Sequence, residues 1–348
     1  MRVTLLSFDD TPPLGGQGVL LRDMRAAIQG RGVEVTTISG RGDHAISYRR
    51  ILHRAPLDFS LHLNRHPEEI SRTHPEVVHL LGGPGGVLLT RKLTQPIVVT
   101  ANHTYRQAHP KRSPRRALSK LEARCYGNAA RILAISASTA DVIRQMGISS
   151  DRVEVLAPGV PVPPRLRPED RVPGRLLFVG RLEAEKGVLD ALFVMQQLIA
   201  SDSSFSGHII GTGRLVEQVI RTCASTPRLE YLGSVDDARL AGEYAAAEIV
   251  LMPSAYEGLG LVALEAMAAG AVVCGYDVDG LRDAALGVAP MVPRGSREDL
   301  AAVAKAVHDD PVRLADLSGR GREAVIRHHS WEHYADRLIE VYSEIRAT

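Results

Sequence analysis

The sequence predicts an α/β protein made of two doubly wound domains, and three observations support this fold class. A strand, a glycine-containing turn, a helix and a second strand open the chain over residues 2–39. The same alternation of apolar strand, glycine turn and helix returns from residue 175 onward. Between the two halves, residues 158–174 contain six prolines, which is typical of a semi-rigid connector. Alternating strands and helices predict parallel sheets covered by helices on both faces.

The domain boundary is expected inside this proline-rich connector. We assign residues 1–165 to a first domain and residues 166–330 to a second domain. The last segment, 331–348, is predicted to be an amphipathic helix. Its apolar positions are Trp331, Tyr334, Leu338, Ile339 and Tyr342.

The elements of the first domain follow from short apolar runs bounded by turn residues. Strands are predicted at 2–7, 33–39, 76–82, 96–105, 130–136 and 153–160. Helices are predicted at 19–29, from the Gly82–Gly86 turn to about Leu93, in the second half of 106–124, and at 138–147.

In the second domain the same pattern predicts strands that each end in a glycine or polar turn. These strands are expected at 175–180, near 207–211, near 228–233, and at 247–254, 271–276 and 287–292. Helices are expected after the glycine turns and at 296–309 and 311–326.

Bulk composition places the chain among ordinary globular proteins. Its 348 residues are 45% hydrophobic and 24% charged, and no apolar run reaches the length of a transmembrane helix. The first ten residues resemble a strand rather than a signal peptide. Three widely spaced cysteines fit neither a disulfide framework nor a zinc site. We therefore expect a cytoplasmic protein.

Charge is unevenly distributed along the chain. Residues 1–165 hold 23 Lys and Arg against 13 Asp and Glu, a net charge of +10, whereas residues 166–348 hold 19 against 27, a net charge of −8. The stretch 106–124 alone has seven Lys and Arg. This stretch is a candidate for contact with the anionic inner face of a membrane, and an ordinary solvated basic face explains it equally well. Too few aromatic residues lie nearby for a nucleic-acid stacking platform.

The stretch from Pro253 to Gly270 carries two glutamates, Glu257 and Glu265, with seven residues between them. The pattern predicts a strand end, a glycine turn and a helix start, with Glu257 in the loop and Glu265 inside the helix. A helix N-terminus favours phosphate, and a carboxylate accepts hydrogen bonds from vicinal hydroxyls. The stretch thus fits a diphosphate flanked by two polyols, and on its own it fits an ordinary loop with solvated glutamates equally well. As a loop residue, Glu257 is expected to tolerate replacement by alanine without loss of the fold.

Two cations follow the first strand of the second domain. Arg181 and Lys186 lie five residues apart in a strand-end loop, where a forked guanidinium and a point charge can hold a diphosphate. Ordinary surface charge is the alternative.

Histidines offer two further candidates. His103 ends a predicted strand, at the sheet edge where open α/β folds bind ligands. His62 and His66 have metal-ligand spacing and are followed by Glu68 and Glu69, but Pro67 and the lack of a second ligand cluster favour a surface loop.

Taken together, these motifs resemble those of the retaining glycosyltransferases of family four. The run F-V-G-R-L-x-x-x-K-G around Arg181 and Lys186 matches the family pattern at every defining position, and 253–270 resembles its E-x7-E motif. The resemblance covers about 1–40, 96–160 and 175–345. It implies the GT-B fold, with two Rossmann-like domains facing each other across a cleft and the last helix crossing back to the N-terminal domain. Thr104 departs from the family, which usually has aspartate there.

The resemblance also implies roles for individual residues. Arg181 and Lys186 would bind the leaving diphosphate, Glu257 the donor sugar and Glu265 the ribose, while His103 would contact the sugar from the other domain. Further donor-binding positions are Gly15, Gly16, Gly211, Gly213, Gly233, Val235, Gly258, Leu259, Gly260 and Leu261.

The function implied is metal-independent transfer of a sugar from a nucleotide diphosphate sugar, with UDP favoured and GDP next, to an acceptor hydroxyl. The acceptor could be a glycan, a lipid, a natural product or a small metabolite. No cofactor, metal or nucleic acid is expected. The alternatives are a non-catalytic nucleotide-sugar-binding protein and a GT-B phosphorylase or epimerase.

Overall fold

Two compact units make up the chain. The computed structural model describes residues 1–13, 15–109, 114–163 and 171–347. The first unit comprises Met1–Gly159 with Trp331–Thr348, and the second comprises Val160–Ser330. The expected boundary between residues 165 and 166 lies outside the described residues.

The first unit contains a parallel sheet. In its described residues six strands are ordered β2-β1-β3-β4-β5-β6, so the chain reverses direction across the sheet between β1 and β3. This is one of the common doubly wound orders. The strands are β1 Arg2–Ser7, β2 Glu34–Ser39, β3 Val77–Gly82, β4 Ile97–Ala101, β5 Arg131–Ala134 and β6 Val153–Val155.

Helices flank this sheet. They are α1 Gly16–Gln29, α2 Ala55–Arg65, α3 Glu68–Ser71, α4 Tyr105–Ala108, α5 Leu118–Asn128, α6 Ala137–Arg144 and, from the end of the chain, α14 Trp331–Arg346. Helix α1 begins three residues earlier than expected, because the Gly15 carbonyl already accepts the Gly18 and Val19 amides at 3.0 and 3.2 Å.

The last helix belongs to the first unit, as expected. Its buried face shares one apolar cluster with α1 and with strands β1, β3, β4 and β5. Inside that contact the buried His79 ring lies between Tyr342 Oη, 2.5 Å from Nδ1, and Thr100 Oγ1, 2.8 Å from Nε2. Burial lowers the pKa of His79 to about 3, so the ring is neutral and one nitrogen can accept a proton from a hydroxyl.

The prediction of a short helix from the Gly82–Gly86 turn to about Leu93 is wrong. Residues 83–95 form a turn and an irregular segment in which Val87, Leu88 and Leu89 are all buried. The side chain of Asn64 accepts the Thr90 and Arg91 amides and donates to the Leu88 carbonyl, at 2.8–3.0 Å. These contacts occupy the backbone groups that helical hydrogen bonds would use, so a distant side chain overrides the local preference.

The second unit contains another parallel sheet of six strands in its described residues, ordered β12-β11-β10-β7-β8-β9. This is the Rossmann order, with its topological switch point between β7 and β10. The strands are β7 Arg175–Val179, β8 Ser206–Ile210, β9 Leu229–Gly233, β10 Ile249–Met252, β11 Val272–Tyr276 and β12 Met291–Val292.

Helices connect these strands. They are α7 Val188–Ser201, α8 Val216–Ser225, α9 Asp237–Ala246, α10 Leu261–Ala268, α11 Asp279–Ala285, α12 Arg297–His308 and α13 Pro311–His328. Within the described part of the chain, every helix is too short or too polar to span a bilayer.

Candidate functional site

The switch point of the second unit lies between the loops that follow β7 and β10. The chain leaves β7 through Gly180 and Arg181, forms a 3-10 turn over Ala184–Lys186 and enters α7 at Gly187. Gly187 has φ 72°, and a Cβ there would overlap the Pro253 carbonyl at the end of β10. Only glycine therefore allows this backbone approach between the two loops. The Ala255 amide also donates to the Glu185 carbonyl at 2.8 Å.

Lys186 and Glu257 form an ion pair across these two loops. The ammonium of Lys186 contacts both carboxylate oxygens, at 2.7 and 2.8 Å, although the residues are 71 positions apart. The carboxylate side chain is 9% exposed and the lysine side chain 24% exposed. The structure thus brings together two residues that are expected to bind neighbouring parts of one ligand. The ammonium of Lys186 belongs to the residue directly before the N-cap of α7.

Arg181 lies in the same loop with a more open environment. Its side chain is 53% exposed and contacts Glu185 Oε1 at 3.3 Å. A guanidinium held so loosely at a strand-end loop can turn toward an anion without breaking a buried pair.

The loop after β10 leads into α10 at Gly260, which has φ 79°. Gly258 is half-buried, Leu259 and Gly260 are buried, and Leu261 begins the helix. Among the described residues, no side chain caps the N-terminus of α10, so no capping side chain accepts hydrogen bonds from its first amides. Such a terminus is suited to an anion.

Glu265 lies in the second turn of α10 and is half-buried. Its Oε2 accepts a hydrogen bond from the hydroxyl of Tyr244 at 2.8 Å. Tyr244 belongs to α9 and is buried. Burial and the neighbouring carboxylate hold the pKa of Tyr244 well above its usual value, so the hydroxyl remains a donor.

The C-terminus of α10 is held by a clamp of three side chains: Arg171, Arg322 and Ser318. Arg322 donates to the Ala268 carbonyl, Arg171 donates to Ala269 at 3.2 Å and to Gly270, and Ser318 donates to Gly270 at 2.6 Å. Two cations at this end complement the negative end of the helix dipole.

The turns after β8 and β9 contain the remaining predicted donor-binding positions. A Cβ on Gly211 would overlap the Gly180 carbonyl, so this glycine lets the turn approach the β7 loop. Tyr231 donates to the Gly211 carbonyl at 2.9 Å. Gly213 packs against the backbone of Leu182. Gly233 ends β9, and Val235 follows it, half-buried, just before α9.

In the first unit, Gly15 and Gly16 form the N-terminus of α1 rather than an isolated turn. Two buried carboxylates, Asp9 and Asp10, follow β1 in the same unit. Arg41 contacts Asp9, and the Asp10 Oδ2 atom lies 2.7 Å from His44 Nδ1. Although burial opposes ionisation, hydrogen bonds from His44 and the Thr11 backbone hold the pKa of Asp10 below its usual value.

His103 follows β4 by two residues and is half-buried. Thr104, the residue that departs from the family pattern, is the buried N-cap of α4. It forms a capping box with Gln107. A threonine here therefore has a structural role that aspartate could also fill.

The other histidines form no metal centre in the described residues, where no group of three or more His, Cys, Asp or Glu is placed to hold an ion. His62 lies on α2, and its ring stacks against that of His66 with centroids 4.6 Å apart.

Part of the basic stretch can be described. Arg116, Lys120 and Arg124 are exposed around α5, with Leu121 exposed among them. Lys111 and Arg112 lie outside the described residues.

Two family patterns match the chain. The one described as "Glycosyl transferases group 1" matches residues 173–310, and the one described as "Glycosyltransferase Family 4" matches residues 14–162. The chain belongs to this family of glycosyltransferases, which confirms the resemblance inferred from the motifs.

Curated relatives carry related names. A D-inositol 3-phosphate glycosyltransferase of Rhodococcus opacus is 32% identical over 224 residues, which is 58% of this chain and 50% of that protein. One from an Arthrobacter species is 28% identical over 399 aligned positions, 98% of this chain and 94% of the relative. The chain thus spans about half the length of the Rhodococcus relative that it matches.

Solved structures share the fold. Sucrose-phosphate synthase from Thermosynechococcus elongatus has a TM-score of 0.80 at 18% identity and covers 100% of this chain and 99% of its own. The Anabaena protein Alr3699/HepE, solved in complex with UDP and glucose, has a TM-score of 0.70 at 16% identity, with 99% and 100% covered. These matches confirm the expected two-domain α/β fold of the GT-B type.

Sequence reasoning did not find Tyr244 or the α10 clamp. A tyrosine inside the helix before β10 has no spacing that links it to Glu265, and arginines 171 and 322 lie far apart in the chain. Only their contacts with α10 reveal them.

Proposed function

We propose that this protein transfers a sugar from a nucleotide diphosphate sugar to an acceptor hydroxyl, with retention of configuration at the anomeric carbon. One observation carries the proposal: the Lys186–Glu257 pair joins the β7 and β10 loops at the switch point of the second unit. Open α/β sheets bind ligands at this point.

The proposed chemistry uses these residues as electrostatic and positioning groups. The acceptor oxygen forms a bond to the anomeric carbon, the bond to the diphosphate breaks, and the acceptor proton passes to the departing phosphate oxygen. Negative charge grows on the diphosphate, where Arg181, Lys186 and the N-terminus of α10 would stabilise it. Glu257 would hold sugar hydroxyls and keep Lys186 in place, and Glu265 would accept hydrogen bonds from the ribose.

Arg181 and Lys186 would supply the positive charge beside the diphosphate in this scheme, so we propose metal-independent transfer without a cofactor. We favour a UDP-sugar and rank a GDP-sugar second. The HepE structure with UDP and glucose supports this order for a protein of the same fold.

The first unit is proposed to bind the acceptor. His103, Gly15 and Gly16 are assigned to the donor side, as the family resemblance implies. The names of the relatives make a phosphorylated cyclitol the first acceptor to test, ahead of glycans, lipids and natural products.

Contact with an anionic membrane surface is a further part of the proposal. The exposed cations of α5 support it, because each basic residue near such a surface contributes about 1 kcal/mol. Sedimentation with phosphatidylglycerol vesicles should show binding that falls with salt and with Lys120→Glu. Equal sedimentation with neutral vesicles would contradict membrane contact.

Two experiments test the central proposal. Thermal unfolding is followed with UDP, GDP, ADP and TDP in the presence of EDTA, and ligand at 100 times its Kd should add about 2.7 kcal/mol of stability. Nucleotide release from the matching sugar donor is then measured with and without acceptor. Stabilisation by one diphosphate with acceptor-dependent release supports the proposal.

Other outcomes favour the alternatives. Binding without turnover favours a non-catalytic nucleotide-sugar-binding protein. Phosphate-dependent cleavage of a glycoside favours a phosphorylase, and conversion of the donor sugar into an isomer favours an epimerase. No stabilisation by any diphosphate would contradict nucleotide-sugar binding itself.

A further inference from the structure

Glu265 has an uncharged partner on a neighbouring helix. The Tyr244 hydroxyl donates to Glu265 Oε2 at 2.8 Å, and Tyr244 is 4% exposed. A buried hydroxyl is costly to leave without a partner, so this contact persists as long as α9 and α10 stay packed.

The backbone beneath Glu265 is fixed from the other end of the helix. The three-side-chain clamp ties the α10 carbonyls to α13 through Arg322 and Ser318 and to the start of the second domain through Arg171. The position of the Glu265 carboxylate then depends on the rotation of its side chain. Tyr244 restrains that rotation by holding one carboxylate oxygen.

We propose that Tyr244 is a positioning residue that orients the Glu265 carboxylate toward a ribose diol and thereby sets a preference for ribonucleotides over 2′-deoxyribonucleotides. This inference rests on the proposed function, in which Glu265 binds the ribose. Tyr244 itself touches no substrate in this scheme.

The preference follows from the geometry of a diol. An ionised carboxylate is an acceptor with about four lone-pair sites, so it can keep the Tyr244 bond and still accept from two adjacent hydroxyls. A carboxylate free to rotate accepts from both hydroxyls less often. A site built to bind a hydroxyl discriminates against the analogue that lacks it, and the discrimination weakens when the acceptor is misplaced.

The test compares ribo- and deoxyribonucleotide binding by calorimetry. The probes are UDP, GDP and ADP with their 2′-deoxy counterparts, and the proteins are the wild type, Tyr244→Phe and Tyr276→Phe. Tyr276 is a matched control, because it is also buried and its hydroxyl donates to a carboxylate, Asp190 Oδ2, at the same 2.8 Å.

We expect the wild type to bind one ribonucleotide about tenfold or more tightly than its deoxy counterpart, since hydrogen bonds to charged groups have this magnitude. Tyr244→Phe should weaken binding of the ribonucleotide and change the Kd of the deoxyribonucleotide by no more than about twofold. The ratio of the two affinities should therefore fall to about two or three. Tyr276→Phe should retain the wild-type ratio. In a Glu265→Ala background, Tyr244→Phe should change the ratio no further.

The failures are distinguishable. An unchanged ratio in Tyr244→Phe, with the wild-type preference present, overturns the inference and leaves the proposed function intact. Equal binding of both members of each pair by the wild type overturns the ribose role of Glu265 and the inference with it. The inference is also overturned if Tyr244→Phe lowers the ratio of ribonucleotide to deoxyribonucleotide affinity in the Glu265→Ala background as it does in the wild type. Tyr244 would then act by another route.

Discussion

At the scale of single residues, the ion pair between Lys186 and Glu257 changes what a substitution should do. The loop position of Glu257 predicted that alanine would leave the fold untouched. The carboxylate is instead largely buried and is the partner of a cation on another loop. Removing it takes away a group that we propose binds the donor sugar, and it leaves a partly buried ammonium uncompensated.

We therefore predict that Glu257→Ala lowers turnover about 100-fold or more and lowers the free energy of unfolding by about 1–3 kcal/mol. Nucleotide release and urea unfolding measure the two effects. Glu217→Ala is the control, because Glu217 is an exposed glutamate on α8 whose contact to Arg221 is long, at 3.9 Å. Full activity in Glu257→Ala would remove this carboxylate from the mechanism.

Burial changes the pKa of the Glu122 carboxyl. In the sequence it is the lone acidic residue of the basic stretch 106–124. In the structure it is buried and accepts hydrogen bonds from the Tyr105 amide at 3.0 Å and the Tyr126 hydroxyl at 3.2 Å. Burial raises the pKa of Glu122 to about 8, against an ordinary value of 4.5.

This shift predicts a pH dependence of stability. The folded protein holds the Glu122 proton more tightly than the unfolded chain, so its contribution is complete below pH 4.5 and is lost as pH rises through about 8. Chemical unfolding across this window should show a decline that Glu122→Gln reduces, because the amide cannot ionise. The same decline in wild type and Glu122→Gln would assign the effect to other groups.

At the scale of elements, α14 is a structural part of the first unit although it is the last helix in the chain. Its apolar face completes the cluster over β1, β3, β4 and β5, and Arg337 binds Glu154 through two contacts of 2.7 and 2.9 Å. A helix of this kind derives its stability from packing rather than from local propensity.

A matched pair of valines tests this packing. Val341 on α14 is fully buried, whereas Val312 on α13 is 80% exposed. We expect Val341→Ala to lower the free energy of unfolding by about 2 kcal/mol, through lost burial and the cavity left behind, and Val312→Ala to stay within about 0.5 kcal/mol. Similar values for both variants in urea unfolding would mean that the α14 face is not a packed core.

At the scale of the whole molecule, the loops that follow four strands of the second unit contain most of the residues assigned to the proposed donor site. These are the loops after β7 and β10, which border the switch point, and the loops after β8 and β9, the next two strands on the β7 side. Many of the residues assigned to this site are glycines, so we expect backbone amides to contact the nucleotide and amide exchange to report its binding.

We predict that saturating UDP slows hydrogen exchange at residues 181–187, 211–216, 233–236 and 255–266, because ligand contact suppresses local opening. The strands beneath these loops already have stable amides and serve as the internal control. Binding detected by calorimetry without slower exchange in these loops would place the nucleotide elsewhere.

Much of the fold was predictable because its signals are local. Apolar runs ending in glycine located the strands, and an apolar face every three to four residues located α14. The loop positions of Arg181, Lys186 and Glu257 and the helical position of Glu265 were predictable, because these residues lie in motifs a few residues long. Their assigned roles remain predictions.

Other features depend on contacts between residues far apart in the chain. Asn64 prevents a helix near residue 90, Tyr244 reaches Glu265, and Glu122 loses its solvent only when α5 packs. Periodicity and turn chemistry specify which segments become strands and helices, since they act over neighbouring residues. Burial, ion pairing and the orientation of a carboxylate arise only after those segments pack, since they depend on which distant side chains meet and on how much water is excluded around them.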